Sequence, residues 1–237
     1  MPTWLVRLAG DKFDLEDLPS VLHSPKHTVI EEDGLYYLTS SDFDSLSSAD
    51  EVRGRAITII RMLNDVMKLH SPSFRDISED CVTLIDDDGR RHNYLYLQAS
   101  VSVRSKARAN LTVARSNGSA EIGSSSSGVE SSLDLAESHE VVPEALHFFR
   151  EDTWFGLYKV YEIVSEDVGG HRMIVRNGWA TKQELNRFSQ TAQSKAALGD
   201  FARHAASRYK PPSQPMTFEE ARALVRRFVL GWLTSKA

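Results

Sequence analysis

The stretch GWATKQELNRFSQTAQSKAALGDFARH, from Gly178 to His204, gathers the residue types most able to do chemistry. Arg187, Thr191, Ser194, Asp200, Arg203 and His204 stand among few apolar anchors, chiefly Phe188 and Phe201. If Ser194 to Ala206 is helical, Asp200 and His204 fall at i and i+4 on one face. An aspartate one turn before a histidine fixes its tautomer and raises its pKa, which suits general acid–base work. Arg187 and Arg203 would hold a phosphate or a developing oxyanion. A structural account ranks first, however. In it Asp200 pairs with Arg203 or His204 to tie helices, and Thr191 and Ser194 cap a helix end. A ligand site ranks second and catalysis third, so the catalytic residues stay unassigned.

Other candidates are weaker. Asp86-Asp87-Asp88-Gly89 resembles the start of a calcium loop, but its acids are consecutive and Leu97 stands where a ligating glutamate belongs. A hairpin turn is expected there. His23 and His27 have the spacing of a helical metal pair, yet Pro25 between them disfavours a helix. His139 and His147 are isolated, so no metal is expected. GSSSSG at Gly123–Gly128 lacks the strand–turn–helix context of a nucleophile elbow. With no P-loop, dinucleotide-binding glycine pattern or Cys-x-x-Cys pair, no cofactor is expected.

Composition narrows the class. The 237 residues suit two domains, and 41% apolar with 26% charged residues is ordinary for a globular protein. No run approaches the roughly 18–20 apolar residues of a membrane span, so no membrane partner is expected. The N-terminus reaches Asp11 too soon for a signal peptide, and the single cysteine, Cys81, suits a reducing compartment. A cytoplasmic location follows as the expectation. The net charge of −5 is segregated. Glu130–Gly170 carries about −8, and His171–Ala237 about +8. The basic stretch either binds the acidic one, the favoured expectation, or binds a phosphate-bearing ligand. On the last helix Arg222, Arg226 and Arg227 lie opposite the apolar stripe, as a solvated face relieved by Glu219 or as a track for a nucleic-acid backbone.

The elements that must position these residues are expected as follows. Trp4–Leu8 reads as a strand, and Thr28–Ile30 with Leu35–Leu38 as a hairpin about Asp33-Gly34. Ser48 and Glu51 form a capping box that opens a helix. Its stripe is Val52, Ala56, Ile59, Ile60, Leu63, Val66 and Met67. Cys81–Ile85, Tyr94–Val103 and Leu111–Val113 read as further strands. Ser116–Ser132 is mostly Ser and Gly and reads as a flexible linker. Beyond it a helix starts at Pro143 and runs on through Trp154, Phe155, Tyr158 and Tyr161, an aromatic core run, to Gly169-Gly170. Capping boxes at Thr181/Glu184 and Thr217/Glu220 open two more. The fold class is therefore α+β. Residues 1–115 form a mixed domain with antiparallel strands, 116–132 a linker, and 133–237 an all-helical domain.

The segments LYKVYEIVSEDVGG, RFSQTAQS, GDFARHA and PMTFEEARALVRRFVLGWL resemble a family of bacterial proteins with no assigned activity. The likeness covers roughly the last 95 residues and implies a bacterial, intracellular setting. More distantly, a helical bundle carrying an arginine and a histidine is similar to the nucleotide-binding HEPN domains, many of which cut RNA. In those a polar residue follows the arginine, with the histidine four to six positions on. Here Arg203 directly precedes His204. Two functions are expected in order. The first is a non-enzymatic binding or regulatory module, its partner a protein or a phosphate-bearing ligand, with homo-oligomerisation open. The second is a metal-independent ribonuclease using His204 and an arginine.

Overall fold

The computed structural model describes residues 3–96, 126–201 and 210–237. They confirm the α+β class. An antiparallel sheet and a set of helices fall into two units, Met1–Ile57 with Ile77–Ser126, and Thr58–Asp76 with Ser127–Ala237. The second unit thus takes in residues 58–76, which the sequence groups with the N-terminal half. Among the described residues no helix is long and apolar enough to cross a membrane.

In the first unit, β1 (Thr3–Ala9) is the middle strand of the order β2-β3-β1-β4-β5. A central strand is covered on both faces, and TWLVRLA accordingly buries Leu5 and Val6 in succession. β2 (His27–Glu32) and β3 (Leu35–Ser40) form the expected hairpin. Asp33 and Gly34 both take positive φ, 51° and 76°, as the tight two-residue turn requires. β4 (Ser78–Ile85) pairs with β1 on its other side. The Asp86 carboxylate accepts from the backbone N–H of Asp88 (3.0 Å) and Arg90 (2.8 Å), so the acidic run closes a turn. β5 (Arg91–Leu95) therefore starts pairing at Ile85↔Arg91, three residues earlier than the apolar pattern suggests. The rest of that expected strand, 97–103, and Leu111–Val113 lie outside the described residues. α1 (Lys12–Val21) buries Leu15, Leu18 and Val21.

α2 (Ala49–His70) runs through both units. Its capping box is reciprocal: Ser48 Oγ accepts from the Glu51 N–H (3.3 Å), and the Glu51 carboxylate from the Ser48 N–H (3.1 Å). Every member of its stripe is buried.

In the second unit, α3 (Ser126–Ser138) corrects the expected linker, whose last residues are already helical. Val129, Leu133 and Ala136 lie at i, i+4 and i+7 and are buried, and Ser132 Oγ bonds back to the Gly128 carbonyl at 2.7 Å. One apolar stripe outweighs a serine-rich composition. The remainder, 116–125, is outside the described residues. The single expected helix after Pro143 is two, α4 (Val141–Arg150) and α5 (Trp154–Asp167). Asp152 adopts φ 54°, and Thr153 caps α5 by accepting from the Gly156 N–H at 2.9 Å. On α5 Tyr158 is buried as expected, whereas Phe155 is half exposed. α6 (His171–Arg176), α7 (Lys182–Gln193), α8 (Lys195–Leu198) and α9 (Phe218–Thr234) follow. Both capping boxes expected at α7 and α9 are present.

Candidate functional site

α7 is a two-faced helix. Leu185, Phe188, Thr191 and Ala192 are buried, while Lys182, Gln183, Asn186 and Gln190 are exposed on the other side. Phe188 is the centre of an aromatic cluster, with Trp154, Tyr158 and Tyr161 at 6.3, 6.0 and 5.8 Å between ring centroids. That packing fixes which face α7 presents. Along it lies a groove of about 550 Å³ between Lys182, Gln183, Asn186, Arg187 and Gln190 on the helix and Pro212–Gln214 on the segment leading to α9.

Arg187 and Thr191, one turn apart, pin that segment. Arg187 Nε donates to the Gln214 carbonyl (2.7 Å) and an Nη to that of Pro215 (3.1 Å), and the guanidinium also bridges to Glu220 at 2.8 Å. Thr191 Oγ1 donates to the Arg187 carbonyl (2.8 Å) and accepts from the Met216 N–H (3.1 Å). The Glu220 carboxyl is held below its usual range, first by the Thr217 N–H and next by Arg187. Ser194 is buried at the end of α7. α8 stops after one turn because Gly199 takes φ 60°, and residues Gly199–Phe201 form a 3-10 turn. The expected helix over Ser194–Ala206 is thus broken at Gly199, with Asp200 exposed beyond the break. Arg203 and His204 lie outside the described residues.

The structure so brings Arg187 and Thr191 together and buries Ser194 close by, with Arg187 also lining the groove. Lys182, Gln183, Asn186, Gln190 and Pro212–Gln214 are the lining residues that sequence reasoning missed. The stripe 182/186/190 opposite Leu185, Phe188 and Ala192 was the available signal.

Of the α9 arginines Arg227 stays solvent-exposed as expected, but the partners that the three arginines reach lie outside α9. Arg222 reaches Asp152 at 2.5 Å, and Arg227 donates to the Trp179 carbonyl (2.9 Å) and Glu184 (2.6 Å). Arg226 donates to the carbonyls of Leu69 (2.6 Å) and His70 (3.0 Å), capping the C-terminal end of α2 where helix carbonyls lack partners. Lys236 pairs with Asp167 at 2.9 Å. Two of these contacts, Arg222–Asp152 and Lys236–Asp167, join the basic stretch to the acidic one.

Arg226 also bears on His70, whose Nε2 lies 3.0 Å from Ser132 Oγ. The Ser132 proton goes to Gly128, so the imidazole is the donor in that contact. Burial first, and Arg226 second, push the His70 pKa from 6.5 down to about 4. A histidine kept neutral by folding gives its full stability above pH 6.5 and loses it as pH falls towards 4, because only the unfolded chain gains a proton. Urea unfolding should show up to ~3 kcal/mol of acid loss across that window from this group. His70→Gln should flatten the profile there, and an unchanged profile would refute the assignment.

No protein-family model, no curated protein and no solved structure matches this chain. Its function is therefore read from the site itself.

Proposed function

We propose that this protein is a non-enzymatic intracellular binding module whose helical unit takes a phosphate-bearing ligand in the groove along α7. The observation that carries this reading is the groove's lining: two cations, Lys182 and Arg187, with the carboxamides of Gln183, Asn186, Gln190 and Gln214, and no acid among the described residues. Carboxamide N–H groups and cations are the donors that hold a phosphate oxygen. Arg187 shares its charge with Glu220, so Lys182 is the main anchor. It sits in the first turn of α7, where the helix dipole favours an anion. Among the described residues the lining offers donors rather than an imidazole, carboxylate or thiol, and donors suit holding an anion.

The test is affinity of the full chain for RNA, DNA and nucleotides across salt concentration. The full chain is needed because Thr58–Asp76 belongs to the helical unit. Log affinity should fall with log salt at a slope of roughly −1 to −2, for one or two phosphates neutralised. Salt-insensitive or absent binding to all three refutes the phosphate ligand. RNA cleaved in EDTA by the wild type and left intact by His204→Ala would replace this reading with the ribonuclease.

A further inference from the structure

The first unit carries a hollow of its own, of about 610 Å³, walled by Trp4 of β1, Leu84 of β4, Tyr94 and Leu95 of β5, Tyr96, and Asp50 in the first turn of α2. Pairing of Trp4 with Leu84 and of Val82 with Tyr94 puts Trp4 and Tyr94 on one face of the sheet. Their ring centroids are 6.1 Å apart, tilted by 48°. Tyr96 donates its hydroxyl to Asp50 at 2.8 Å, which joins the third ring to the carboxylate. Tyr96 already serves as a cation platform: the Arg53 guanidinium sits 4.3 Å from its centroid, held there by Glu79 at 2.9 Å.

The other polar groups at the rim are committed. The backbone N–H groups of Ser47 and Ser48 both donate to the Glu51 carboxylate, at 3.0 and 3.1 Å. Ser48 Oγ accepts from Glu51. What the hollow still offers a cation is the exposed Tyr94 ring beside Trp4, with the Asp50 carboxylate that Tyr96 also engages, and few acceptors to replace the water of a primary ammonium. A methylated ammonium has no N–H to satisfy, or fewer, and gives up its weak hydration cheaply. An aromatic wall with one negative charge is complementary to that group.

We propose that this hollow binds a methylated ammonium group. This deepens the binding-module reading by naming a ligand for the α+β unit. The experiment leaves the α7 groove untouched, so failure here is separate from failure there.

Calorimetry on the full chain compares choline with its uncharged isostere 3,3-dimethylbutanol, and a trimethyl-lysine peptide with the same peptide unmethylated. At least one methylated cation should bind about 10-fold or more tightly than its counterpart. Tighter binding of the peptide makes a protein side chain the carrier, and tighter binding of choline a free small molecule. Tyr94→Leu should weaken the preferred cation about 10-fold; Tyr94 is 41% exposed, so its thermal midpoint should hardly move. Asp50→Asn should weaken it about 5-fold, and it decides the matter if Tyr94→Leu does not fold. Failure of both cations to saturate the wild type, equal affinity for charged and uncharged ligands, or variants that bind like the wild type would overturn the proposal.

Discussion

Replacing Arg150 with methionine is expected to destabilise the protein by about 3–5 kcal/mol at neutral pH, the cost typical of stripping a buried charge of its partner. Arg150 donates to Asp65 at 3.0 Å and also to Asp76, and the Asp65 side chain is only 7% exposed. Burial pushes the Asp65 carboxyl up, and Arg150 pulls it back only in part. The pair is therefore a poor source of net stability but a severe liability once broken. Two consequences separate this from simple loss of packing. Asp65→Asn in the Arg150→Met background should recover much of the loss, since no charge is then stranded. The penalty should also shrink as pH falls through the raised Asp65 pKa, because a protonated Asp65 no longer needs a cation. Urea denaturation of the single and double variants at two pH values checks both. A loss that is the same at either pH and survives Asp65→Asn would mean that Arg150 acts through its aliphatic stem instead.

Phe188→Ala should cost a similar ~3–5 kcal/mol, the range for truncating a fully buried phenylalanine. Phe188 is 0% exposed and touches three aromatic rings, two of them stacked and one edge-on. No other side chain of α7 contributes to as many ring contacts among the described residues. Its loss would also free α7 to rotate, so groove binding should weaken more than the stability loss alone predicts. Phe188→Leu keeps most of the volume and should lose less than half as much, about 1–2 kcal/mol. Near-equal stability of Phe188→Ala and the wild type would show that the cluster does not hold α7 in place.

Local features of this fold were legible in the sequence because their signals are local. Each of three capping boxes depends on two residues three positions apart, Ser48/Glu51, Thr181/Glu184 and Thr217/Glu220, and each is present. The Asp33-Gly34 hairpin follows from the positive φ that its turn demands. The stripe of α2 follows from spacing alone. α3 was hidden because composition masked a periodicity that Val129, Leu133 and Ala136 do carry. The break after Arg150 was hidden because apolar spacing continues across it, whereas Thr153 supplies a cap that competes successfully. The destinations of Arg222, Arg226 and Arg227 had no sequence signal. Arg226 reaches carbonyls more than 150 positions earlier in the chain, and no short pattern encodes such a contact. Half of the candidate site suffered likewise. Arg187 and Thr191 stood out, but the wall they pin comes from residues 212–216. The spacing argument for Asp200 and His204 turns on residues 202–204, which lie outside the described residues.

The most direct check of the central claim is charge reversal at Lys182, measured with whichever of RNA, DNA or nucleotide the wild type binds best. Lys182 is exposed and outside the packed face, so Lys182→Glu should leave the thermal midpoint within a degree or two. A phosphate seated on α7 should then be held at least 10-fold more weakly at low salt, with the salt slope reduced by about one. Unchanged affinity and slope in a folded Lys182→Glu protein would contradict the account, and the groove along α7 would not be where this protein meets its ligand.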